Sequence, residues 1–275
     1  GGTSAAQADP DALEEQARAS LDELGALGPL VTPSLGPHAV YTVSPASLER
    51  LGRLVAEHPV PVQIHLSETS GEVADCLAAT GLRPPALLDR HGLLGEGTIA
   101  AHCCWVDDDD LALLAERGAT VATNPVSNLK LASGTFPWQA ARRAGVAIAL
   151  GTDGVASNNA LDLFADMRVL ALLHKGVDGD PTVLPADEAW RTATGASSPL
   201  FDGPRLSVGA VADVLLVDTD RPEMVPGPLV PNLVYAANGS VVDSVVVAGR
   251  VLMEHGHVDG ADEVVAEVRA RAGRV

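Results

Sequence analysis

Lysine is nearly absent from this chain: Lys130 and Lys175 are the only two among 275 residues. The other basic residues are arginines, and Lys+Arg total 18 against 36 Asp+Glu, a formal net charge of -18. A chain this acidic repels phosphate backbones and anionic bilayers, so neither nucleic acid nor membrane is an expected partner. No apolar run is long enough to span a bilayer. Cysteine is scarce as well. Cys76, Cys103 and Cys104 are odd in number, and two are adjacent. That is no disulfide framework, and it suits a reducing compartment. The opening GGTSAAQADPDALEEQ is polar and acidic, unlike a secretory signal. The expected location is therefore cytoplasmic. Finally, no glycine-rich phosphate loop follows the first strand-like segments, so dinucleotide binding has no support.

What is present is a core-forming composition, with 47% hydrophobic residues, and a repeated strand–helix rhythm. Asp9-Pro10 and Ser44-Pro45 read as helix starts. PLVTPSLG (29–36), VPVQIHL (60–66), GTIAAH (97–102), ATVATN (119–124) and VAIALGTD (146–153) read as strands. Ser70 is expected to cap a helix, and DDDDLALLAERG places acids at the positive end of another. Five strands alternating with helices between about 29 and 175 predict a parallel sheet. After about residue 200 the texture becomes valine-rich and glycine-broken, which predicts antiparallel hairpins. The expected division is 1–200 as an α/β part of barrel type, 201–260 as a small β module and 261–275 as a terminal helix.

The barrel reading rests on where the polar residues fall, because barrel enzymes place catalytic groups at the C-terminal ends of their strands. His38, His65 with Glu68, His102, Asn124 and Asp153 all sit at such ends. A lone histidine is more often a core residue than a ligand, but several strand-end groups converge on one mouth. Imidazole suits zinc or iron, and a nearby acid is a candidate proton shuttle. Asp153 either caps the following helix or works as a metal ligand. Ser157 is a helix-start cap or a substrate contact. Cys103 and Cys104 lack chelating spacing and are expected to be buried. NPVSNLKLASG (124–134) reads as an active-site loop forming a wall. His58, His91, His174, His255 and His257 receive no role.

The segments GPHAVYTVS, IHLSETSGEV, AHCCW, TNPVSNLKLASG, GTDGVASNNALDLFADMR and VGAVADVLLVD together resemble the amidohydrolase superfamily. Within it they are closest to the 5-methylthioadenosine/S-adenosylhomocysteine deaminases and related chlorohydrolases. The resemblance implies a (β/α)8 TIM barrel and a divalent metal, usually Zn2+, with Fe2+ or another divalent ion as alternatives. It implies His65 and Asp153 as metal ligands. Asp153 also takes the proton of the attacking water, Glu68 protonates a ring nitrogen, and His102 helps hold the water. It implies His38, Glu68 and Ser157 as contacts to a small-molecule substrate, an aminopurine nucleoside that loses ammonia. The alternatives are a chlorohydrolase, or a guanine- or triazine-type aminohydrolase.

The chain departs from the family at one place. The family's first strand supplies an H-x-H ligand pair, and none precedes His65. His255 and His257 have the spacing but fall in the β module, which reads as coincidence. The expectation is a chain carrying only barrel strands 4–8, its N-terminal part missing or on another chain. Alone, it could be inactive and need that partner; a homo-oligomer is also compatible with the family.

Overall fold

The computed structural model describes residues 9–28, 30–200 and 206–273. The chain divides into two compact units, Gly1–Pro204 and Arg205–Val275.

The first unit is built on a four-stranded parallel sheet: β1 (Val62–Leu66), β2 (Thr98–His102), β3 (Thr120–Thr123) and β4 (Ala147–Leu150), paired in chain order. Parallel neighbours need long crossovers, and helices supply them. Ser70–Thr80 and Pro84–Arg90 follow β1, Asp108–Glu116 follows β2, and Pro125–Lys130 and Trp138–Ala144 follow β3. Ile64, Ala100, Val121 and Ile148 are buried along the strands. This is the α/β, parallel-sheet architecture that the strand–helix rhythm predicts.

Two details correct the sequence reading. The fifth strand, expected over 29–36, is not a strand. Pro29 lies outside the described residues, and the remaining stretch pairs with β1 through one isolated parallel bridge, Leu35 to Val62, with a second, Ala39 to His65, just beyond it. Pro33 and Pro37 explain this, since neither has an N–H to extend a ladder. The helix after β1 is capped by Thr69, not Ser70: the Thr69 hydroxyl accepts from the Glu72 amide at 3.1 Å. The acidic start at 107 behaves as predicted, with Asp107 and Asp110 forming a reciprocal capping box.

The register brings the strand ends level. Leu66 lies opposite His102, and Thr123 opposite Leu150. The chain then turns off sharply. Ser67, His102, Cys103 and Asp153 all have positive φ, at 48°, 70°, 51° and 61°. Non-glycine residues in this region each cost on the order of 1–3 kcal/mol, and such strain collects at functional sites.

The second unit holds an antiparallel sheet of β5 (Val214–Val217), β6 (Val242–Val247) and β7 (Arg250–Met253), followed by the helix Ala261–Ala272. The valine-rich, glycine-broken texture gives the antiparallel pairing expected of it. Among the described residues no helix is long and apolar enough to cross a membrane.

Candidate active site at the strand ends

His65, in β1, His102, closing β2, and Asp153, three residues past β4, come together. One ligand atom from each lies within 4.8 Å of the others. The imidazoles of His65 and His102 stack with centroids 5.3 Å apart and planes 17° from parallel.

Each histidine is held in a defined tautomer. Nδ1 of His65 is 2.7 Å from the carbonyl oxygen of His38. A carbonyl only accepts, so Nδ1 carries a hydrogen, and in the neutral ring that leaves the lone pair on Nε2. Nδ1 of His102 is likewise 2.7 Å from Oδ1 of Asn128. Asn124 supports the same assignment. Turned so that its amide nitrogen faces the carbonyls of Thr123 (3.3 Å) and Gly151 (3.2 Å), it presents its oxygen to His102. Gly151 is glycine for a related reason: a Cβ there would collide with the Asn124 amide.

Asp153 accepts three hydrogen bonds: from Ser127 at 2.6 Å and Ser157 at 2.7 Å on Oδ2, and from the Gly154 amide at 2.8 Å on Oδ1. Burial pushes this carboxyl up, but the donors from Ser127, Ser157 and Gly154, with His102 nearby, hold it below the usual range. Glu68 accepts from the Ser133 hydroxyl at 2.8 Å through Oε1, and its Oε2 stands 3.9 Å from Nε2 of His102.

The structure thus brings together His65, Glu68, His102, Asp153 and Ser157. Ser157 reaches the cluster through Asp153. His38 is present twice over. Its carbonyl anchors His65, while its ring lies 4.7 Å from the His65 ring and its Nδ1 is 3.3 Å from the Thr42 hydroxyl. Cys103 and Cys104 are buried, as their spacing suggests; burial pushes the Cys104 thiol up to about 12 and Cys103 well up.

Sequence reasoning missed Ser127, Asn128, Ser133 and Glu72. The first three sit in the 124–134 segment, which is more than a wall: one short stretch hydrogen-bonds Asp153, His102 and Glu68 in turn. Lys130 ties it to the carbonyl of Ala156 at 2.9 Å and to Asn159. The signal was three polar residues spaced along a stretch that follows a strand. For Glu72 the signal was the Thr-x-x-Glu capping spacing, hidden when Ser70 is taken as the cap.

The donor set suits a divalent metal: two imidazole nitrogens with free lone pairs and one ionised carboxylate, each oriented by a further hydrogen bond. A parallel α/β sheet with such a cluster at the C-terminal ends of its strands has the layout of a metal centre on a barrel-type fold. The sequence bears this out: it matches the amidohydrolase family over residues 3–252, and the chain belongs to that family.

Among its relatives are a 5'-deoxyadenosine deaminase of Methanoregula boonei and a 5-methylthioadenosine/S-adenosylhomocysteine deaminase of Syntrophobacter fumaroxidans. The first is 49% identical over 244 residues, covering 87% of this chain and 55% of the relative. The second is 46% identical over 249 residues, covering 88% and 57%. The chain therefore spans little more than half the length of these relatives. Among solved structures it is similar to a zinc-bound adenosine deaminase from Xanthomonas campestris, with TM-score 0.89 and 39% identity over 96% of this chain and 61% of that one. It is also similar to a zinc complex of atrazine chlorohydrolase from Arthrobacter aurescens, with TM-score 0.86 and 25% identity over 95% and 60%.

Proposed function

We propose that this chain forms the greater part of a hydrolytic deaminase of adenosine-type nucleosides. In this reading residues 1–200 are the C-terminal part of a (β/α)8 barrel, 201–260 part of a small β module and 261–275 a terminal helix. The observation that carries it is the convergence of His65, His102 and Asp153 within 4.8 Å, with the Glu68 carboxylate 3.9 Å from His102. The names borne by relatives above 40% identity support the choice of substrate class.

His65 and Asp153 would hold the divalent metal, zinc being the ion in two of the similar structures. When bound, it supplies Lewis acidity that makes water a competent nucleophile near neutral pH. The chain's own groups do the rest. His102, its Nδ1–H fixed by Asn128, offers Nε2 to hold the attacking water. Asp153 takes one proton of that water through Oδ2, already polarised by Ser127 and Ser157. The oxygen adds to the ring carbon bearing the amino group while Glu68 gives its proton to the adjacent ring nitrogen. Asp153 passes its proton to the amino group, which leaves as ammonia. The new hydroxyl proton returns to Glu68 as the carbonyl forms. Ser133 holds Oε1 of Glu68, which leaves Oε2 to carry the proton. Ser157 and the His38 ring are the proposed contacts to substrate.

The test is ammonia release from 5'-deoxyadenosine, methylthioadenosine and S-adenosylhomocysteine. It is run on this chain alone and with an N-terminal segment bearing the H-x-H pair that the family resemblance implies. Activity only in the second arm makes the segment a required partner. Chloride release from a chlorotriazine, with no ammonia from any aminopurine, sinks the deaminase reading in favour of a chlorohydrolase.

A further inference from the structure

We propose that Glu72 is a positioning residue for Glu68: its buried carboxylate clamps the left-handed turn at the end of β1 and so fixes where the Glu68 carboxylate stands. This rests on reading Glu68 as the proton donor. Glu72 is 6% exposed, in the first turn of the helix Ser70–Thr80. Its two oxygens are spent on two consecutive backbone amides: Oε1 accepts from Ser67 N at 2.9 Å and Oε2 from Glu68 N at 2.7 Å. Ser67 is the strained residue of this turn, with φ of 48°. Its own hydroxyl is buried and has no hydrogen-bond partner among the described residues, so it does not hold the turn. Glu72 does. Ser133 fixes the far end of the Glu68 side chain, and Glu72 fixes its backbone origin. With both ends held, the carboxyl has one place to be.

Burying a carboxylate beside a second one is unfavourable, and burial does push Glu72 up. A residue needed only to cap the helix would not require that cost, since Thr69 already caps it. A charged acceptor for two adjacent N–H groups is what fixes a turn of this kind, because an amide side chain offers one acceptor oxygen and turns donors toward the second N–H.

The test compares Glu72→Gln with Thr69→Ala in the full chain, assayed with the N-terminal segment if activity requires it. Three readouts are taken: kcat and KM for ammonia release, melting temperature, and deuterium exchange at the Ser67 and Glu68 amides. Glu72→Gln is expected to accelerate exchange at both amides. It should lower kcat on the order of 10- to 100-fold while leaving KM within about 3-fold, the signature of a displaced catalytic group rather than lost binding. Thr69→Ala, which removes the helix cap, should lower the melting temperature without that loss in kcat. Should Glu72→Gln not fold, Glu72→Asp, which keeps the charge but withdraws it by one methylene, carries the same readouts. Unchanged exchange, unchanged kcat, or an equal kcat loss in Thr69→Ala overturns the proposal. A parent that releases no ammonia from any aminopurine nucleoside defeats the deaminase reading instead. Exchange alone then decides the clamp: acceleration by Glu72→Gln upholds it, and retained protection overturns it.

Discussion

Two pairs of histidines in this chain invite comparison. His65 and His102 are 37 residues apart in sequence, sit at the ends of adjacent parallel strands and stack at 5.3 Å. His255 and His257 have the H-x-H spacing of a metal-ligand pair, yet their side chains are 81% and 73% exposed. The difference lies in what surrounds each ring. His102 is 1% exposed. Both strand-end rings donate Nδ1–H to an oxygen that only accepts, so Nε2 of each is left free and aimed. His255 turns Nδ1 toward the Asp243 carboxylate at 3.1 Å, and His257 has Nε2 3.5 Å from Asp259. Among the described residues neither joins a group of possible metal donors. Spacing alone makes no site; register, burial and a fixed tautomer do.

The sharpest way to break this comparison is to remove a donor from each region. Asp153→Asn keeps the shape of the side chain but cannot take a proton. Ammonia release should fall on the order of 10²- to 10⁴-fold, the range of a lost general base. His255→Ala and His257→Ala should leave kcat within about twofold, because both rings are exposed and neither joins a group of possible metal donors among the described residues. A large loss in either of those variants would mean that the β module contributes to the chemistry. Next in size is Asn128→Ala, which touches no proposed substrate atom. It strips the acceptor from His102 Nδ1, so the ring can rotate or change tautomer. A 10- to 100-fold loss of activity is expected, read by kinetics.

That second prediction marks where the sequence stopped being legible. The parallel sheet, the antiparallel module and the strand-end residues His65, Glu68, His102 and Asp153 are visible because each depends on local pattern: β-branched runs, glycine breaks and a polar residue where an apolar run ends. Asn128 and Ser133 are not visible in that way. Nothing local distinguishes the Asn128 that meets His102, 26 residues away, from the neighbouring Asn124. Only the parallel register of β2 against β3 brings them together. The 29–36 segment failed for the opposite reason. Its apolar residues suggest a strand, but Pro33 and Pro37 leave too few amides to form one. Glu72 carried a readable capping pattern and still pointed elsewhere, because its side chain reaches past the cap to Ser67 and Glu68.

Gly151→Ala probes packing beneath the site. The added methyl collides with the Asn124 amide, which sits between β3 and β4. Overpacking of this kind costs about 1–3 kcal/mol, and a urea or thermal midpoint should show it. Activity should fall as well, because Asn124 also faces His102. A variant that loses stability but keeps full activity would separate Asn124 from the His102 tautomer.

The smallest effect belongs to the exposed pair. Asp243 beside His255 raises the imidazole above its ordinary value. A group whose folded value is raised stabilises the fold below its unfolded value, near 6.5, and loses that contribution as pH climbs through the folded value. The β module should therefore unfold at slightly lower urea at pH 8 than at pH 5.5. His255→Gln should flatten that slope while leaving ammonia release and metal content unchanged. Because the ring is open to solvent, salt should flatten the slope too. A slope that survives both the substitution and high salt would place its origin in another group, and the Asp243–His255 contact would then be an ion pair without thermodynamic consequence.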